Sequence, residues 1–238
     1  MHYFALLLTP EVDRPADPAE MTAEMAAYEA FHASSSSAIR GGDALLPSAT
    51  GVQITGGPDN PSVTDGPFAE SAEVAGGYYV FEAENLDDAL ALARDIPAAK
   101  RGAIEVWPTV MWNQPEKPLD GSHWLALLLE PADNAVAPGT PEWEAGIAAH
   151  REFNTAAADH IKGGAALHPP ATATTVRVRD GKATFTDGPY VEGAEVANGF
   201  YLLSAADQDE AVKIASTIPA SAVHVRQLAG VSAVTVAG

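Results

Sequence analysis

Thr64-Asp65-Gly66-Pro67-Phe68 returns as Thr186-Asp187-Gly188-Pro189-Tyr190, an offset of 122 (Asp65 to Asp187) in a chain of 238 residues. The surroundings return with it. Glu70 and Glu73 follow the first copy, and Glu192 and Glu195 follow the second. Ala75-Gly76-Gly77-Tyr78-Tyr79 is then matched by Ala197-Asn198-Gly199-Phe200-Tyr201. A period near half the chain means a duplicated domain, because solenoid repeats are far shorter. Residues 1–112 and 123–238 are read as the two copies. Residues 113–122, with Pro115, Pro118 and Gly121 among charged residues, are read as the linker.

The repeated motif has a local meaning. Asp before Gly is turn chemistry, since the carboxylate can accept from nearby backbone N–H groups and Gly tolerates positive φ. Proline cannot donate to a strand ladder, so it marks an edge or an end. A strand is therefore expected to run into Asp65 and into Asp187 and to stop there. The two carboxylates either cap their turns or stand free at strand ends for chemistry.

Each half reads as strand, helix, hairpin, strand, helix, strand. Tyr3 to Leu8 and His123 to Leu129 are short continuous apolar runs, expected as strands buried on both faces. Met21, Met25, Tyr28, Phe31 and Ile39 lie on one face of a helix begun by Asp17 or Thr22 and ended by Gly41-Gly42. Trp143, Ile147, His150, Phe153, Ala157 and Ile161 form the matching stripe in the second half. Ser34 to Ser37 are poor helix formers and read as a solvated face. Asp180-Gly181 marks a type I′ turn between Thr174–Val178 and Lys182–Thr186. Asn85 and Asp207 are expected helix caps, the latter with Glu210 in a capping box. The last strands differ in chemistry: Glu105-Val106-Trp107 stands opposite His224-Val225-Arg226.

His150 occupies the position of Tyr28 in the first copy. A histidine within an apolar helical stripe faces the sheet. It is either a core residue with a backbone partner or a general acid/base, because its unperturbed pKa suits proton transfer near neutrality.

Composition removes several classes. Net charge is −19, which argues against nucleic acid and anionic membrane as partners. There is no cysteine, so no disulfide, thiolate nucleophile or cysteine metal site. The spacing of His150, His160 and His168 does not place them on one helical face, so no metal is expected. The start Met1-His2-Tyr3-Phe4 lacks the basic region and cleavage site of a secretory signal, and no apolar run is long enough to span a bilayer. A cytoplasmic protein is expected.

The Thr-Asp-Gly-Pro-aromatic motif, its glutamate pair, the glycine-aromatic strand and the Glu-Val of the closing strand together resemble the DGPF, or YCII-related, family. The segment Ala173-Thr174-Thr175-Val176-Arg177-Val178-Arg179-Asp180-Gly181-Lys182 also matches that family's hairpin. The resemblance covers nearly the whole chain, twice. It implies an α+β fold: two ferredoxin-like units paired as an intramolecular dimeric α+β barrel. Related barrel proteins isomerise lactones, or oxygenate or dehalogenate small aromatic compounds, without a cofactor. Some members are associated with alternative sigma factors in transcription. In catalytic-looking relatives a His on the first helix and an Asp form a proton-transfer dyad. His150 lies at or near the matching position, and His32 is one turn beyond Tyr28 in the first half. No Asp stands at Leu46-Pro47 or His168-Pro169, so the second member falls to Asp187 or Asp65.

Two functions are expected from these residues. One is a cofactor-independent enzyme on a small organic molecule, with His150 moving the proton, Asp187 or Glu195 orienting it, and Arg177 or Arg226 holding an anionic group. Glu73 is the counterpart of Glu195. A carboxylate beside His150 would raise its pKa. The other is a non-catalytic ligand-binding or regulatory module. Either is expected as a monomeric pseudo-dimer or a homodimer of it.

Overall fold

The computed structural model describes residues 1–11, 17–66, 73–134, 136–189 and 195–232. Pro67, Phe68, Glu70, Tyr190 and Glu192 of the repeated motifs lie outside these. The first half contains β1 (His2–Thr9), α1 (Pro18–Ser35), β2 (Ile39–Ala44), β3 (Val52–Thr55), β4 (Ser62–Asp65), β5 (Val74–Glu82), α2 (Leu86–Asp95) and β6 (Ala103–Asn113). The second contains β7 (His123–Pro131), α3 (Pro141–Ala156), β8 (Ile161–Leu167), β9 (Thr174–Arg179), β10 (Lys182–Asp187), β11 (Glu195–Ser204), α4 (Gln208–Ala215) and β12 (Ala222–Gln227).

Each of the helices α1 to α4 starts on a side-chain cap that satisfies an orphan N–H. Asp17, Asn85, Thr140 and Asp207 accept from Ala19, Asp88, Trp143 and Glu210 respectively. The first helix of each half is shorter than its apolar stripe suggests. α1 ends at Ser35 and α3 at Ala156, so Ile39 and Ile161 instead open β2 and β8. The glycine pairs are strand glycines, not helix stops. A Cβ on Gly42 would lie 2.5 Å from the Tyr79 ring, and one on Gly164 would lie 2.5 Å from the Phe200 carbonyl oxygen. Their bare backbones let β2 and β8 run close against β5 and β11.

Each half forms an antiparallel sheet in ferredoxin-like order, β6-β1-β5-β2 and β12-β7-β11-β8. The sheets join along two seams. The distal part of β6, Thr109–Asn113, pairs with Gly164–Leu167 of β8. On the other side a Leu45–Leu228 bridge is flanked by bonds from Leu46 N to Gln227 O (3.0 Å) and from Ala229 N to Ala44 O (2.9 Å). The eight strands thereby close into a barrel. The hairpins are exchanged between halves: β3 of the first half pairs with β12, and β9 of the second pairs with β6.

Strand alternation sorts the side chains into three apolar clusters. Phe4, Leu6 and Leu8 of β1 face inward and meet Leu125, Leu127, Phe200 and Leu202 from the second half. Tyr3, Ala5 and Leu7 face outward, beneath α1 and α2. Each outer cluster includes residues of the exchanged hairpin: Val176 and Val178 pack with Phe31 and Ile96, while Val52 and Ile54 pack with Phe153 and Ile214. α1 buries only Phe31 and Ser35, and α3 only Phe153. Both helices therefore seat on the sheet by their C-terminal turns. Their N-terminal turns leave a hollow over the strands.

Candidate functional site: two hollows with paired His and Tyr

Tyr79 on β5 and Tyr201 on β11 are equivalent residues of the repeat, and each points outward toward its first helix. The His32 Nε2 lies 2.7 Å from the Tyr79 hydroxyl, and the His150 Nδ1 lies 3.0 Å from that of Tyr201. The two histidines are not equivalent in the repeat. At the offset of 122, His150 matches Tyr28 and His32 matches Asn154. The imidazole comes from helix positions one turn apart, yet both times it reaches the same tyrosine. The Asn154 side chain also lies near enough to the Tyr201 hydroxyl to oppose the rise in its pKa.

Each pair lines a hollow. The one under α1 is about 490 Å³ and includes Met25, Tyr28, His32, Asp43, Tyr79 and Arg101. The one under α3 is about 220 Å³ and includes Met111, Trp143, Ile147, His150, Asn154 and Tyr201. Burial lowers the pKa of His32 and of His150, in the latter against an opposing pull from Glu130. Burial pushes the Tyr28 and Tyr201 phenols up to about 12 and raises Tyr79 as well. At neutral pH both imidazoles are thus neutral and the phenols protonated. Such a pair can take a proton from a bound molecule on nitrogen and offer a hydroxyl hydrogen bond beside it.

The sequence led to a carboxylate beside His150 and a raised imidazole pKa. Tyr201 stands there instead, and the shift is downward because desolvation outweighs the pull of Glu130. Asp65 and Asp187 are exposed at the ends of β4 and β10 and line neither hollow. Their motif anchors the hairpin base through its glycine: Gly66 N donates to Gly51 O (2.9 Å), and Gly188 N to Ala173 O (2.8 Å).

The remaining candidates gather elsewhere, inside the barrel. Glu73, Glu195 and Arg226 line a third hollow of about 220 Å³ together with Glu105 and His224. Arg177 grips Glu73 with two nitrogens, at 3.0 and 2.8 Å, and also donates to Gly102 O (3.1 Å). The Arg226 guanidinium donates to Leu46 O, and Trp107 Nε1 donates to Glu105 Oε2 at 3.3 Å. Burial and the nearby Arg226 push the His224 pKa down to about 4. Proton-transfer and charged candidates therefore occupy opposite faces of the same strands.

Asp43 lines the hollow under α1 and was missed in the sequence, because Gly41-Gly42 read as a helix end. It is 5% exposed, and its Oδ1 accepts from Val231 N at 3.1 Å. Burial pushes its carboxyl up to about 6. Among the described residues no cluster of His, Asp or Glu suits a metal ion, and no helix is long and apolar enough to cross a membrane.

Fold and site together define an α+β protein of two ferredoxin-like units closed into one barrel, with a His–Tyr hollow on the outer face of each unit. The chain belongs to the YCII-related domain family, whose model matches residues 4–113 and again 124–229. It is similar to an uncharacterized protein of Rhizobium meliloti (strain 1021), at 34% identity over 76 residues. That match covers 31% of this chain and 61% of the relative, so the chain spans less than two thirds of the relative's length. Among solved structures it is similar to the crystal structure of a putative chlorite dismutase, with 8% identity and a TM-score of 0.41 over 95% of this chain and 94% of that one.

Proposed function

We propose that this YCII-related protein binds small organic molecules in the hollows beneath α1 and α3 and moves a proton on them without a cofactor. The observation that carries the reading is the His–Tyr pair, built twice from non-equivalent histidines on an equivalent tyrosine. Mostly apolar walls such as Met111, Trp143 and Ile147 suit a compact apolar skeleton. The neutral imidazole is the base. The protonated phenol fixes the ring and donates to an oxygen on which charge develops. A carbonyl compound with an acidic neighbouring C–H, as in an isomerisation, fits these two roles.

One observation favours a second reading. Neither imidazole has a carboxylate among its described hydrogen-bond partners, so neither is held as a strong base. The hollows would then serve a binding or regulatory module, of the kind some members link to alternative sigma factors.

The test is deuterium exchange into cyclic 1,3-diketones and enol lactones in D2O, followed by NMR, beside thermal-shift binding of the same compounds. The wild type is expected to accelerate exchange at pH 7. His32→Ala and His150→Ala are each expected to remove one site's share, and the double variant to abolish it. Binding that depends on the histidines without exchange selects the module. Neither binding nor exchange sensitive to them refutes both readings.

A further inference from the structure

The hollow inside the barrel is lined from both halves at their seam, and the repeat exposes an asymmetry in it. In the first half Glu73 is neutralised by Arg177 of the exchanged hairpin. Glu195 is the equivalent of Glu73, but Thr55 stands where that arginine would come from. Among the described residues, Glu195 has no ion-pair partner. Arg226, conversely, replaces Trp107 of the first half. It is 6% exposed, and its Nε is buried without an acceptor among the described residues. Glu195 and Arg226 line the same hollow, yet among the described residues they make no ion pair with each other.

The other charged groups there have work already. Arg177 holds Glu73, and the Trp107 indole donates to Glu105. Glu11, which accepts from Ser48 N, also attracts Arg226, so the groups left open to a ligand are Glu195 and the Nε edge of the Arg226 guanidinium, in a slot walled by Leu6, Leu8, Leu127 and Leu129. A donor kept from water without an acceptor is costly, so a ligand carboxylate on the buried Arg226 relieves that cost, and the partly exposed Glu195 offers an acceptor in the same hollow. Arginine presents a fork that matches a carboxylate, and a carboxylate accepts from an ammonium.

We propose that this inner hollow binds a small aliphatic α-amino acid as its zwitterion. The ligand carboxylate lies on Arg226, its ammonium on Glu195 and its side chain among the leucines. This site is separate from the His–Tyr hollows and does not depend on what they do.

Isothermal titration of the full chain at pH 7.5 tests it with alanine, valine, leucine, isoleucine and methionine. Isovalerate lacks leucine's ammonium, and isopentylamine lacks its carboxylate. At least one amino acid is expected to bind, with leucine at least tenfold tighter than either analogue. Glu195 is partly exposed, so Glu195→Gln is expected to fold, with circular dichroism as the check. This variant is expected to weaken leucine at least tenfold while leaving isovalerate unchanged. Arg226→Lys is expected to weaken both. His32→Ala and His150→Ala are expected to bind leucine as the wild type does. Binding by none of the five, isovalerate binding as tightly as leucine, or a Glu195→Gln variant indistinguishable from wild type each overturns the proposal.

Discussion

Replacing Phe200 by alanine tests whether the two halves are one cooperative body. Phe200 belongs to the second half, yet its ring neighbours come from the first. It stacks on Phe4 at 4.5 Å between centroids and is tilted against Tyr78 and Trp112, each at 5.9 Å. It is 1% exposed. Truncating a buried phenylalanine costs about 3–5 kcal/mol through lost transfer energy and the cavity left behind. Aromatic pairs add roughly 0.5–1.5 kcal/mol beyond area. The middle of that range, about 4 kcal/mol, is expected for a ring so fully enclosed. For a chain of this size each kcal/mol moves Tm by about 2–4 °C, so Tm falls by about 8–16 °C. The assay is thermal unfolding followed by tryptophan fluorescence and circular dichroism. Trp107 and Trp112 report on the first half, and Trp124 and Trp143 on the second. Both probes are expected to move together. Val63→Ala, on an exposed strand, is the control and stays within about 0.5 kcal/mol. Two separate transitions, only one of them lowered by Phe200→Ala, would refute the shared core.

Other perturbations follow from particular residues. The Asp43 carboxyl is raised in the folded state, so its contribution is complete below about pH 4 and is lost as pH rises through about 6. Asp43→Asn is therefore expected to stabilise the protein by about 2–3 kcal/mol at pH 8 and to lose that gain near pH 4, read by urea unfolding at both. His224 has the opposite sign: its imidazole is lowered to about 4, so stability present above about 6.5 falls as the solution is acidified toward 4. His224→Gln is expected to flatten that fall in the same titration. A Cβ on Gly51 would collide with Arg226 Cδ, whereas one on Gly146, in α3, meets nothing within 4 Å. Gly51→Ala is expected to cost about 1–3 kcal/mol, and Gly146→Ala to gain up to about 1 kcal/mol from helix propensity, both measured by denaturant midpoint.

Duplication, strand alternation and helix capping are local properties of the chain, so the sequence alone determined them. A repeated Thr-Asp-Gly-Pro-aromatic motif announces two like units. Asn85, Asp207 and the Asp180-Gly181 turn do their work within a few residues. The ferredoxin-like pairing followed from element order and family resemblance. The strands β2 and β8 stayed hidden because Gly41-Gly42 and Gly163-Gly164 carry no strand propensity. They are strands only because the aromatic residues of β5 and β11 need a neighbour with no side chain there. The exchange of hairpins was invisible too, since either half's last strand offers the same free edge, and only closure of the barrel selects the partner. The site divided for the same kind of reason. His150 and Glu195 lie within one repeat, but successive residues of a strand face opposite sides. Tyr201 therefore meets the helix outside, while Phe200 fills the interior, where the charges of the seam are enclosed. Which groups share a cavity is set by that alternation once the sheet is closed, and closure is a property of the whole fold.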